Sequence, residues 1–213
     1  GNPTAEAAYY LAANRGKRSV AIDLSTPGGQ EVIRALAAQS DVVVDNYKVG
    51  QLAKYGLDYA RLSALNPRLV YCSITGFGQT GPYSHRPGYD YIIQAMSGFM
   101  SITGERDGLP GAGPQKAGVA IADLFTGLYS LIAILTAIEQ RHSTGRGQHI
   151  DMALFDTMVA ALANMNTNTL IGGFTPRRAG NAHGNVVPYQ VFEAADTPFV
   201  LAVGNDGQFA RLC

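Results

Sequence analysis

One carboxylate stands out by its surroundings. Between Lys116 and Glu139, Asp123 is the only charged residue, inside a run whose Leu124, Leu128, Leu131, Ile132, Leu135 and Ile138 recur at helical spacing nearly all the way round. A helix of that pattern is expected to pack inside a protein. A lone carboxylate there is costly, and must be neutralised, hydrogen-bonded or put to use. Two readings are open. Asp123 caps the helix, with Gly118 and Ala122 marking a loop ahead of it. Alternatively, it is a carboxylate nucleophile at a helix N-terminus, where the dipole and free N–H groups favour negative charge. The uncharged stretch from Leu124 to Ile138 is shorter than the roughly 20 residues of a membrane span, so no membrane association is expected.

The elements that must position this residue can be read along the chain. Thr4–Asn14 reads as a helix capped by Thr4, and Ser19–Leu24 as a short apolar strand. Thr26-Pro27 opens a helix to about Ala38. Asp41–Asp45 is a second strand, too continuously apolar to have one face in water. Short helices near Gln51–Tyr55 and over Asp58–Leu65 precede a third strand, Leu69–Ile74. Strands alternating with helices mean βαβ units, and so a Rossmann-like α/β fold: a parallel sheet with helices on both faces. The Gly-rich loop Thr75–Pro82 leaves the C-terminal end of a strand, where ligands sit in open α/β sheets. Its spacing is neither a P-loop nor a dinucleotide fingerprint. Helices are expected over Tyr89–Met100, from Asp123 to Arg141 and over Leu154–Leu170, with a strand at Gln148–Met152.

The texture changes after residue 171. Residues 172–188 are Gly-, Asn- and Arg-rich and read as a linker or mobile loop. Tyr189–Phe192 and Phe199–Val203 read as a β-hairpin. The chain is thus read as an α/β core over 1–171, the linker, and the start of a smaller domain over 189–213.

Sixteen basic residues balance sixteen acidic ones in 213, which gives no electrostatic case for nucleic acid. Two cysteines, Cys72 and Cys213, make no disulfide framework and fit a reducing, cytoplasmic setting. His85, His142, His149 and His183 are scattered, so no metal site is expected.

Several pieces together resemble one family. They are Lys17–Leu24, Asp45-Asn-Tyr-Lys48, Asn66–Val70, Ser73–Gly78, Gly81-Pro82, Arg86-Pro-Gly-Tyr-Asp90, Ala122-Asp123, Thr144–Gln148 and Pro188-Tyr189. In this order they resemble the class III CoA-transferases, of the formyl-CoA transferase and carnitine CoA-transferase type. The chain reads as the middle half of such an enzyme, without its first βα unit or the rest of its small domain. The resemblance implies that Asp123 is the catalytic carboxylate, forming aspartyl anhydride and aspartyl-CoA thioester intermediates. It implies CoA-binding positions at Ile22, Asp23, Leu24, Ser25, Asn46, Tyr47, Lys48, Lys54, Arg86, Pro87, Gly88, Tyr89 and Asp90. It implies a substrate loop that includes Gly184, Asn185, Val186 and Val187. The partners implied are an acyl-CoA such as succinyl-CoA, a small carboxylic acid, and a second copy in an interlocked homodimer. Coenzyme A thioester would be a substrate, with no permanently bound cofactor.

Two departures refine this. The loop is less glycine-rich than in formyl-CoA transferases, which argues for an acid other than formate or oxalate. Racemases of the α-methylacyl-CoA type resemble the same family but carry His where this chain has Tyr89. A phenol with a pKa near 10 is a poor base at neutral pH, so transfer is preferred over racemisation. A catalytically inactive CoA-binding homologue is the other alternative.

Overall fold

A computed structural model describes residues 6–213. Helix α1 spans Ala8–Ala13, and the cap expected at Thr4 lies outside the described residues. Pro27 pre-sets the first turn of α2 (Pro27–Gln39), and the Thr26 side chain accepts the Gly29 N–H at 3.1 Å. Strand β1 (Val42–Asp45), a 3-10 turn (Leu52–Tyr55), α3 (Tyr59–Leu65) and β2 (Val70–Thr75) follow. After β2 come α4 (Asp90–Met96), α5 (Phe99–Ile102), α6 (Ile121–Thr144) and β3 (His149–Ala153). Helices α7 (Leu154–Ala161) and α8 (Asn164–Leu170) complete the α/β part. Strands β4 (Tyr189–Phe192) and β5 (Phe199–Ala202) form an antiparallel hairpin, and α9 (Asp206–Leu212) ends the chain.

Strands β1, β2 and β3 form a parallel sheet with β2 in the centre. Both faces of β2 are covered, which is why it reads as a continuous apolar run. Tyr71 faces a core with Ala37, Leu57, Leu62 and Leu69, supplied by α2, α3 and their connections. Ile74, on the opposite face, packs on Ile93, Ala122, Leu154 and Met158 from α4, α6 and α7. The α/β class and the parallel sheet agree with the sequence.

Besides β1, whose Val44 is 54% exposed although neither face of the strand is expected to meet water, four local readings differ. Ser19–Leu24 is no strand: among the described residues it pairs with no neighbour, although Ile22 and Leu24 share an apolar cavity of about 280 Å³ with Val43 and Val44 of β1. An extended apolar segment becomes a strand only when its N–H and C=O groups find a ladder partner. The helix expected over Tyr89–Met100 breaks at Gly98, whose φ of 91° no helix accommodates. The one expected over Leu154–Leu170 breaks at Ala163, held at φ 47°.

The fourth difference concerns α6. Its buried residues are Ala122, Thr126, Ser130, Ala137 and Arg141, a stripe of small and polar groups laid against the sheet and α7. Thr126 and Thr157 hydroxyls join α6 to α7 at 2.8 Å. Leu124, Leu128, Leu131, Ile132 and Leu135 are each more than half exposed. The expectation that the helix is enclosed is therefore wrong for the described residues. Small side chains let the backbone approach the sheet closely, and that contact, not the leucine count, chose the inward face. By length and composition α6 could cross a membrane, but its small-residue stripe serves as a packing surface for β2, β3, α4 and α7.

Candidate active site

Asp123 sits in the first turn of α6, but it is not the cap. The cap position is Ala120, and the capping carboxylate comes from α4. Asp90 Oδ1 accepts the N–H of Ala122 at 2.8 Å and of Asp123 at 3.4 Å. Asp90 Oδ2 accepts the side-chain amide of Gln94 at 2.6 Å, and Gln94 Oε1 in turn accepts the Ala117 N–H at 2.9 Å. Gln94 is fully buried, so each of its polar atoms needs such a partner. The capping reading of Asp123 is corrected, and so is the idea that the helix amides hold its charge, because Asp90 has taken them.

The Asp123 carboxylate accepts no hydrogen bond among the described residues. Partial burial raises its pKa above the ordinary carboxylate value, and the neighbouring Asp90 charge adds to the effect. The side chain is solvent-exposed and reachable, and a carboxylate whose pKa is raised is the more basic and so the better nucleophile once ionised.

A cleft of about 190 Å³ at the C-terminal end of β2 is walled by Asn46, Tyr47, Lys48, Ile74, Thr75, Gly76, Arg86, Pro87, Gly88 and Tyr89, the last of which directly precedes Asp90. Two of the sequence-implied CoA segments, 46–48 and 86–89, thus face each other. Local chemistry fixes both walls. Asn46 donates to the Ile74 carbonyl at 2.6 Å, and the Tyr47 N–H donates to Asp45 at 3.0 Å. Arg86 lays its guanidinium over the Tyr83 ring, 4.2 Å from the centroid. Gly76 and Gly88 bring their backbones into direct contact at the floor; a Cβ on Gly88 would fall 2.3 Å from Gly76 Cα. Tyr89 is 71% exposed at the mouth, directly before Asp90. The cleft is therefore tied to Asp123 through adjacent residues of one turn.

The other candidates lie further out. Ile22 and Leu24 line the cavity beside Tyr47, while Asp23 is turned to Ser25, whose Oγ and N–H it accepts at 2.7 and 2.9 Å. Lys54 is exposed on the 3-10 turn and lines no part of the cleft. Gly184 and Val187 line a separate cavity of about 800 Å³ with Arg106, Arg177 and Arg178, and Asp123 does not reach it. Asn185 is held by Asn164 and Asn168 of α8, and the Asn185 and Val186 N–H groups both donate to His183 Nδ1. Arg178 is bound to Asp107 and to the Glu105 and Ser101 carbonyls, so it clamps the 101–107 segment.

Two groups escaped the sequence reading. Gln94 lies four residues after Asp90, a spacing that places both on one helix face and could have flagged the pair. Ser73 is the second. Its Oγ donates to Asp45 at 2.8 Å and meets His149 Nε2 at 2.9 Å, with Tyr59 stacked on the imidazole. Serine, histidine and aspartate here do not make a hydrolase triad: the aspartate is bonded to the serine, not to the histidine, so the proton relay is absent. The arrangement braces Asp45, and with it the Tyr47 turn.

Relatives point the same way as the geometry. Residues 2–213 match the family model described as CoA-transferase family III. A protein of Agrobacterium fabrum named succinate–glutarate CoA-transferase is 61% identical over 207 residues, covering 97% of this chain and 51% of its own length. A mouse protein named succinyl-CoA:glutarate CoA-transferase is 46% identical over 208 residues, 98% of this chain and 47% of its own. The crystal structure of a CAIB/BAIF family protein from Brucella suis superposes with a TM-score of 0.85 at 57% identity, covering 97% of this chain and 53% of that one. The chain spans about half the length of these relatives. A cleft at the strand ends, an accessible carboxylate linked to it through Tyr89 and Asp90, and a family match over nearly every residue lead to one conclusion: this chain belongs to CoA-transferase family III.

Proposed function

We propose that Asp123 is the nucleophile of a CoA transfer between two carboxylic acids. The observation that carries this is the placement of Asp123 in the first turn of α6, solvent-exposed, with its own N–H on Asp90, the residue that directly follows Tyr89 of the cleft wall. The cleft would receive the pantetheine arm of an acyl-CoA, with Asn46, Tyr47, Lys48 and Arg86 at its walls and Lys54, Asp23 and Ser25 towards the nucleotide end.

The reaction follows in balanced steps. The Asp123 carboxylate attacks the thioester carbonyl, the C–S bond breaks, and CoA leaves as thiolate, giving a mixed anhydride. The thiolate attacks the aspartyl carbonyl and breaks the anhydride C–O bond, which frees the first acid as its carboxylate. An acceptor carboxylate then attacks the aspartyl-CoA thioester, again expelling thiolate. The thiolate takes the new acyl group and regenerates the Asp123 carboxylate. Covalent storage keeps each activated carbonyl from water, and the Gly184–Val187 loop would close over these intermediates.

Succinyl-CoA as donor and a dicarboxylic acid such as glutarate as acceptor fit the names borne by the relatives. An interlocked homodimer and a cytoplasmic setting belong to the same reading; the buried free thiol of Cys72 is consistent with the latter. The test is direct. The protein is incubated with succinyl-CoA and a panel of acids that includes glutarate and oxalate, and new acyl-CoA species are followed by mass. Formation of an acid's CoA ester, abolished in Asp123→Ala, supports the proposal. If no acid is esterified while a 2-methylacyl-CoA exchanges its α-proton with deuterated water, the enzyme is a racemase instead.

A further inference from the structure

We propose that Asp90 is a positioning residue for Asp123, holding the first turn of α6 through a buried relay with Gln94. The inference rests on Asp123 as nucleophile. Three observations carry it. Asp90 Oδ1 takes the Ala122 and Asp123 amides, so the backbone that carries the nucleophile hangs on this one carboxylate. Gln94 is 0% exposed and bonds at both ends, to Asp90 on one side and to the Ala117 N–H on the other. Helix α6 has no side-chain cap of its own. The segment 117–120 ahead of α6 and the first turn of the helix are thus fixed to α4 by one acid–amide pair.

The same arrangement has an electrostatic side. By occupying the helix amides, Asp90 withholds them from Asp123 and adds a like charge beside it. The charged groups and the histidine on the elements packed against α6 are Asp90 on α4, Asp156 on α7, and His149 and Asp151 on β3, with Lys116 on the segment ahead of it. Of these, Asp90 acts on the Asp123 carboxyl, while the Lys116 ammonium is turned to the Ala117 carbonyl at 3.0 Å. Asp90 therefore keeps the nucleophile in place while withholding the backbone donors of the first turn from its carboxylate.

Donor–acceptor logic supplies a discriminating set of variants. In Asp90→Asn the new amide nitrogen faces the Gln94 amide nitrogen, donor against donor, and the relay breaks. Adding Gln94→Glu repairs it: the amide at position 90 donates to the carboxylate at position 94, which still accepts from Ala117, while the oxygen at position 90 accepts from Ala122. The expected result is a kcat lowered on the order of 10²-fold in Asp90→Asn with KM for the acyl-CoA hardly moved, since small misplacements of a reacting group cost that much. The double variant should recover most of kcat. Its acid limb should lie at lower pH, because the negative charge now stands one side chain further from Asp123; the Asp123 carboxyl, followed by carbon NMR, should titrate lower in parallel. Wild-type kcat in Asp90→Asn overturns the proposal. So does a double variant that regains the wild-type melting temperature but not kcat. If instead Asp123→Asn keeps full activity, the nucleophile reading fails, whatever position 90 does.

Discussion

Gly88→Ala is a single methyl group with a calculable consequence. The added Cβ would stand 2.3 Å from Gly76 Cα, 3.2 Å from its carbonyl carbon and 3.3 Å from its nitrogen. Carbon atoms settle at about 3.5–4.0 Å, so the two backbones must separate by roughly 1.2 Å. Neither partner is a flexible side-chain end that can swing aside. The reciprocal change, Gly76→Ala, meets Gly88 Cα at 2.4 Å and its nitrogen at 2.6 Å. Overpacking of this kind costs about 1–3 kcal/mol, and a backbone-on-backbone clash belongs in the upper part of that range. At about 2 kcal/mol, a chain of this size loses roughly 4–8 °C of melting temperature. Gly28→Ala is the control: nothing lies within 4 Å of its added Cβ and its φ is not positive, so the change should be neutral or slightly stabilising. Thermal melts by circular dichroism on the three variants read this out. The separation also moves the 86–89 wall away from Thr75 and Gly76, so acyl-CoA binding should weaken in Gly88→Ala. A Gly88→Ala protein that melts within about 1 °C of wild type would refute the contact argument.

Two further predictions concern charge. Arg141 is buried and donates to the Arg68 carbonyl at 2.9 Å and to Asp41 at 2.8 Å, whereas the Asp41 side chain is 79% exposed. Arg141→Met should cost about 2 kcal/mol through the lost carbonyl partner, and Asp41→Asn less than about 1 kcal/mol; equal losses in urea unfolding would mean that the ion pair dominates. Asp123 binds its proton more tightly folded than unfolded, so it costs nothing below the unfolded carboxylate pKa, and its cost appears as pH rises towards the raised folded value. Asp123→Asn should therefore melt above wild type at pH 7, with the gap closing on acidification to about pH 4; a gap that widens on acidification contradicts the raised pKa.

The sequence by itself determined the alternation of strand and helix, the parallel sheet, and the isolation of Asp123, because those depend on periodicity and composition that are local. It also singled out the segments 46–48 and 86–89, which the fold brings to the walls of one cleft. Which face of α6 turns inward was decided by tertiary packing. Periodicity counts apolar area, but Ala122, Thr126, Ser130 and Ala137 won by allowing close approach to the sheet. The fate of Ser19–Leu24 depended on a pairing partner, and the breaks at Gly98 and Ala163 on single backbone angles, none of which composition encodes. Asp90 shows the same division most sharply. Its sequence neighbours suggested a ligand contact, yet its carboxylate ends on amides 32 and 33 residues away, a meeting that only the folded chain brings about.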